Sequence, residues 1–152
     1  EYWDNGKVPW ITPADMKFIK GKYVSKGSRN INELGLKKSS AKLMPKDSII
    51  FSSRAPIGYI AITKNELCTN QGFKSVNLLD KSLVDYLYYC LQALTKDIQS
   101  RASGTTFKEI SGTKFGQTLI PIPPLEEQKR IVEKLDKLLD SVNVIAPLMI
   151  NE

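Results

Sequence analysis

The chain contains no histidine, which removes Ser–His and Cys–His nucleophilic arrangements and every imidazole metal ligand. Its two cysteines, Cys68 and Cys90, lie in apolar surroundings without the paired spacing of a zinc knuckle, so they read as buried free thiols, a state that suits the cytoplasm. No apolar run approaches the length of a membrane span, and no signal peptide is visible. Glu1 stands where a methionine would begin a gene product, so a fragment is expected. Phosphate-binding loops of the G-x-x-x-x-G-K-[ST] and G-x-G-x-x-G kinds are missing, as is any carboxylate cluster suited to two-metal nuclease chemistry. Acidic residues are scarce over one long stretch: between Lys17 and Lys46, Glu33 alone faces nine basic side chains. Together these absences argue against an enzyme and leave binding chemistry.

What is present fits one folded domain. The chain has 152 residues, of which 41% are hydrophobic, enough to build a core. Its net charge of +6 is unevenly placed. Residues 1–80 carry 13 basic and 7 acidic side chains, whereas residues 81–152 carry 9 of each. A basic front on a balanced body is an electrostatic footprint for a polyanion. Its plainer reading is a lysine-rich solvated surface.

Local signals outline the elements. Asn5-Gly6 marks a turn before a strand over Val8–Thr12. Thr12-Pro13-Ala14-Asp15 reads as a helix start, with Thr12 as N-cap, Pro13 at the first helical position and Asp15 at the third. Lys20–Asn30 is expected to be a polar loop around a short strand, and Ile31–Leu43 to hold one or two helical turns bearing Lys37 and Lys38. Ser48–Ser52 and Tyr59–Thr63 read as strands separated by Arg54–Gly58. Leu67–Leu78 reads as a further strand, interrupted at Asn70-Gln71-Gly72. Ser82–Asp85 resembles a capping box opening a helix to about Ser100, with Leu83, Leu87, Leu91, Leu94 and Ile98 as its buried stripe. Tyr86, Tyr88 and Tyr89 on that helix read as packing residues before a base-stacking platform. A short helical turn over Ile110–Gly116 and a strand over Thr118–Ile122 complete the body. The expected class is α+β: a curved, mostly antiparallel sheet with short helices, one longer packing helix and a protruding C-terminal helix of coiled-coil type.

That last helix follows Pro123 and Pro124, which suit a first helical turn and block any helix upstream. Glu126 and Glu127 place negative charge at the positive end of its dipole. Gln128, Ile131, Leu135, Leu138, Val142 and Ile145 recur at a 3-4-3-4-3 spacing, one stripe of period near 3.5, as a helix-on-helix seam requires. Glu126–Arg130 and Glu133–Lys137 are spaced as i,i+4 pairs. The stripe can pack on its own domain or on a second long helix; Pro147 is expected to end it.

The run Ile120–Leu139 resembles the linker and helix that close each recognition domain in specificity subunits of type I restriction–modification enzymes. Trp10–Asp15, Ser52–Gly58 with Thr69–Lys74, and Ser103–Ser111 resemble the same family, in its order, so the likeness covers nearly the whole chain. It implies a target recognition domain over residues 1–122, lacking its opening strand, a spacer or dimerisation helix over 123–146, and a tail over 147–152. It also implies that the chain reads half of a split site in double-stranded DNA and directs partner modification (methyltransferase) and restriction subunits there. S-adenosylmethionine, ATP and Mg would then belong to those partners, with no cofactor or metal on this chain. A second recognition domain, or a second copy, would pair through Gln128, Ile131, Leu135, Leu138 and Val142.

On this reading, Ser52, Ser53 and Arg54 on a stiff loop suit phosphate oxygens, and Lys74 could hold another. Asn70 and Gln71 can pair with adenine, although a side-chain staple beside Gly72 is the plainer role. Thr105, Thr106 and Lys108 suit the DNA backbone, with Phe107 anchoring their loop. Motifs shared by relatives with different targets should serve structure or phosphates. Base choice therefore falls to the basic stretch of Lys22, Lys26, Arg29, Asn30, Lys37 and Lys38, where Arg29 suits guanine and Asn30 suits adenine. Two alternatives remain: a specificity module of a type II enzyme combining cutting and methylation, and a protein-interaction module using the heptad helix.

Overall fold

The structure, a computed structural model, describes residues 1–149, with side chains to residue 143. It divides into two units, Glu1–Leu119 and Ile120–Glu152.

Two small sheets build the first unit. In the first, strand β1 (Val8–Ile11) lies between β3 (Arg29–Ile31), antiparallel to it, and β6 (Cys68–Thr69), parallel to it. In the second the order is β2 (Tyr23–Val24), β5 (Ile57–Thr63), β4 (Ser48–Ser53), β7 (Phe73–Asn77). Here β2 runs parallel to β5, and the other pairings are antiparallel. The expectation of one sheet thus becomes two, each with one parallel pairing. All six residues of β4 are buried, as befits a central strand covered on both faces. On one side Ile50 joins Ile11, Met16, Val24, Ala61, Leu67 and Phe73 in the core. Phe51 meets Phe115, their ring centroids 5.1 Å apart.

Thr12, Pro13 and Asp15 behave as their sequence dictates. Helix α1 (Pro13–Met16) starts with a reciprocal capping box, in which the Thr12 N–H donates to Asp15 Oδ2 at 2.8 Å and Asp15 N–H to Thr12 Oγ1 at 3.4 Å. Burial pushes the Asp15 carboxyl up, but hydrogen bonds from Thr12 and from Ser28 outweigh it and hold the group below the usual carboxylate range. Asn32 likewise caps α2 (Glu33–Lys38) by accepting from Gly35 N–H at 2.8 Å.

Several expectations are corrected. Arg29 and Asn30 lie in β3, opposite Trp10 and Pro9, and not in a loop. The interrupted strand over Leu67–Leu78 is two strands in different sheets, and Asn70–Gly72 carries the chain between them: Asn70 N–H donates to Ile11 in the first sheet, while Gly72 accepts from Ser53 in the second. Ser82 is not a cap. Asp80 accepts from its N–H, a 3₁₀ turn (Lys81–Leu83) follows, and α3 (Val84–Ala93) begins without a side-chain cap. At Leu94, outside helical geometry at ψ 2°, the helix gives way to α4 (Thr95–Ser100). Tyr86, Tyr88 and Tyr89 are buried, whereas Leu83, Leu87 and Leu94 are half-buried, because α3 packs on β4 and β5 through its tyrosine face. Ser111 caps α5 (Gly112–Gly116). No strand forms over Thr118–Ile122, where Pro121 cannot donate to a ladder.

In the second unit, helix α6 (Leu125–Met149) follows the two prolines instead of including them. The Pro124 carbonyl accepts from Glu127 and Gln128 N–H, and the Pro123 carbonyl accepts from Gln128 Nε2 at 2.8 Å. The helix extends across Pro147, beyond the expected end at 146. Glu126–Lys129 and Glu127–Arg130 form ion pairs along it, one residue closer than the expected i,i+4 spacing. Among the described residues, no helix is long and apolar enough to cross a membrane.

Candidate nucleic-acid interface

Two clefts of the first unit gather Arg54, Thr106 and Lys108 in one and Asn70 and Gln71 in the other. The first forms where the Arg54 loop meets the segment Ser103–Glu109. Ser103 and Glu109 exchange backbone hydrogen bonds of 3.0 and 2.9 Å, closing that segment into a narrow loop whose base bridges to Arg54. Gly104 adopts φ +112°, and a Cβ there would lie 2.3 Å from the Phe107 carbonyl oxygen, so the loop requires glycine. The resulting cleft, about 390 Å³, is lined by Arg54, Pro56, Gln99, Thr106, Phe107 and Lys108. Glu109 sits at its edge, 4.0 Å from Arg54 Nη1 and 3.5 Å from Lys74 Nζ. That carboxylate holds the two cations in place without cancelling them, since Lys108 and Lys114 stand on the same loop system, Lys114 Nζ donating to Ser103 Oγ at 2.7 Å. Thr105 is exposed beside Thr106.

Three expectations for this region change. Ser52 is fully buried, its Oγ donating to the Pro56 carbonyl at 2.6 Å and accepting from Gly58 and Tyr59 N–H. Ser53 is fully buried too, with its Oγ 3.5 Å from Glu109. Both serines shape the loop and cannot reach a phosphate. Phe107 does not anchor its loop: it is 84% exposed.

The second cleft, about 420 Å³, lies between the N-terminal aromatics, the segment that follows α2 and the crossing between the sheets. Trp3, Trp10, Ser39, Lys42, Asn70 and Gln71 are among its walls. Trp3 and Trp10 meet edge to face at 4.8 Å, and the Arg29 guanidinium lies 5.5 Å from the Trp3 ring centroid. Asn70 Oδ1 accepts from Gly72 N–H at 2.9 Å, which is the staple geometry, while Gln71 is exposed. Asn30 is exposed on β3, the edge strand beside Trp10. Lys37 and Lys38 are exposed at the end of α2, whose Gly35 touches this cleft.

The basic run is therefore divided. Lys42 lines the aromatic cleft and Arg29 lies against its Trp3 wall, but Lys17 borders a different hollow with Tyr59 and Tyr88. Lys22 is drawn inward: its Nζ lies 2.9 Å from Asp85 and 4.9 Å from the Tyr89 ring centroid, so it ties β2 to α3 instead of facing a ligand. Lys26 is exposed and borders neither of the two clefts. Sequence reasoning missed Trp3 and Glu109. The Asn5-Gly6 turn hinted that Trp3 folds back; nothing local revealed that Glu109 meets Arg54 and Lys74.

On α6, Gln128 is buried with its Oε1 lacking a hydrogen-bond partner, Ile131 and Leu135 are half-buried, and Leu138 and Val142 are 51% and 58% exposed. The Ile145 side chain lies outside the described residues. No group of three or more acidic or cysteine side chains able to hold a metal occurs among the described residues. Burial raises the Cys68 thiol to about 11 and also raises Cys90, which keeps both protonated near neutrality.

The model of the type I restriction modification DNA specificity domain matches residues 1–147. The MjaIX specificity subunit of Methanocaldococcus jannaschii, a type I restriction enzyme component, is 41% identical over 144 residues, covering 93% of this chain and 33% of that protein. The EcoR124I/EcoR124II specificity subunit of Escherichia coli is 34% identical over 152 residues, covering 95% and 37%. The chain thus spans about a third of the length of these curated relatives. In fold it resembles a chain of a type I R-M system solved for its complex assembly and conformational transition, with TM-score 0.75 at 24% identity over 98% of this chain and 35% of that one. The HsdS subunit from Thermoanaerobacter tengcongensis gives a TM-score of 0.64 at 22% identity, over 97% and 33%. With the family model spanning both units and the first of these relatives 41% identical over 93% of this chain, the chain belongs to the type I restriction–modification DNA specificity domain family.

Proposed function

We propose that this chain recognises a half-site in double-stranded DNA and directs partner methyltransferase and restriction subunits to it, with no catalysis of its own. The observation that carries this reading is the Arg54–Lys108 cleft. Folding brings two loops about fifty residues apart in sequence to one cleft, and Glu109 beside it lies 4.0 Å from Arg54 and 3.5 Å from Lys74. Guanidinium and ammonium groups beside threonine hydroxyls suit phosphate oxygens, which position a duplex without reading it. The aromatic cleft and the neighbouring strand β3 suit the reading role: Gln71 on the cleft wall, and Arg29 and Asn30 on β3, offer donors and acceptors that match base edges. The apolar stripe of α6, open at Leu138 and Val142, suits a second helix from another recognition domain or another copy.

Duplex binding measured by fluorescence anisotropy across a salt series tests this. Affinity should fall steeply with salt through counterion release, and Arg54→Ala or Lys108→Ala should each weaken binding to all sequences and reduce the salt slope by about one. Salt-independent binding, or equal affinity of the wild type and both variants, would remove the cleft from the interface. An α6 that captures a protein partner while duplex DNA is ignored would favour an interaction module instead.

A further inference from the structure

We infer that Phe107 is a base-step wedge: when the Arg54–Lys108 rim holds a duplex, the phenyl ring enters between or against neighbouring bases irrespective of their identity. The inference rests on the DNA reading above and adds a contact that phosphate binding does not require. Phe107 is 84% exposed, at the end of the turn set by Gly104, and it lines the same cleft as Arg54, Thr106 and Lys108. An unsupported aromatic ring in water is unfavourable, and this one contributes little to its own core. Its surroundings select the occupant. Arg54, Lys74, Lys108 and Lys114 gather about the loop with Glu109 as the one acidic group whose contacts place it there. A protein surface meeting an apolar ring so ringed with positive charge would have to be acidic throughout. A duplex satisfies both demands, because its phosphates meet the cations while its base faces are apolar and accept any aromatic ring. Every base has such a face, so the contact is independent of sequence.

A wedge must part a base step, so DNA that is already unstacked should bind more tightly. The test uses the 152-residue chain, a fully paired 30-base-pair duplex and the same duplex with a central mismatch. The wild type should favour the mismatched duplex about tenfold, a stacking-sized effect. Phe107→Ala should lose that preference while keeping the salt slope and the thermal unfolding midpoint, and Phe107→Trp should retain the preference. If the wild type binds duplex but Phe107→Ala keeps the full mismatch preference, the wedge is overturned and the DNA reading stands. If Phe107→Ala binds both duplexes like the wild type and instead loses association with a methyltransferase subunit, the wedge is likewise overturned, in favour of a protein contact. Failure of the wild type to bind either duplex would overturn the DNA reading, and the wedge with it.

Discussion

At the scale of single residues, the side chains divide by whether their polar atoms are already used. Ser52 uses its hydroxyl as both donor and acceptor inside the Arg54 loop, and Asn70 uses its carbonyl oxygen on Gly72 N–H. Gln71, Lys108 and Asn30 remain exposed for an outside partner. Asp15 is the clearest structural acid. Its carboxylate receives hydrogen bonds from Thr12 N–H and Oγ1 and from Ser28 N–H, so it fastens the start of α1 to the segment entering β3. Asp15→Asn should cost about 1 kcal/mol of stability at neutral pH, the usual size of a lost helix cap, read from urea unfolding. Because the native state holds this carboxyl below its ordinary value of 3.8, its contribution is full above that value and disappears as pH falls through the lower native one. The difference between wild type and Asp15→Asn should therefore shrink below about pH 4. A difference that stayed constant down to the acid transition would mean that the charge of Asp15 is not what matters.

Elements in this protein are short, and several are defined by one backbone feature. The loop Ser103–Glu109 depends on Gly104, where a side chain would be both strained in φ and in collision with the Phe107 carbonyl. Gly104→Ala should destabilise the chain by about 1–3 kcal/mol and weaken duplex binding, because Thr106, Phe107 and Lys108 would lose their common rim with Arg54. Unfolding midpoints and anisotropy titrations on one preparation read both effects. An unchanged affinity in a destabilised variant would show that the loop is structural only. Helix α6 differs in kind. Its ion pairs, each worth a few tenths of a kcal/mol, lie three residues apart at its first turns, and its apolar stripe becomes more exposed from Gln128 to Val142. A long helix with that gradient depends on partners for much of its stability.

For the whole molecule, the division of labour proposed for the clefts yields a separate expectation. Changes on the Arg54–Lys108 rim should act equally on all duplexes, whereas Arg29→Ala or Asn30→Ala should change which sequences are preferred. Selection of bound duplexes from a random pool distinguishes the two. Identical selected sequences for wild type and both variants would move base reading elsewhere. Arg29 carries a complication visible only in three dimensions: its guanidinium rests near Trp3, so replacing it also disturbs the aromatic wall of the cleft.

Much was legible in the chain alone because it depends on neighbours in sequence. The Thr12-Pro13-Asp15 cap, the central strands, the α5 turn and the stripe of α6 all follow from local hydrogen-bond chemistry or from periodicity, and the motifs around Arg54, Asn70 and Thr105 carried the family. Tertiary structure alone decided how those motifs are used. Whether Leu67–Leu78 makes one strand or two depends on which sheets lie on either side of Asn70–Gly72. The burial of Ser52 and Lys22, the exposure of Phe107 and the meeting of Glu109 with Arg54 and Lys74 depend on segments tens of residues away. Propensity and spacing report only what a residue's own neighbourhood favours, whereas accessibility and charge pairing are set by whichever distant chain arrives beside it.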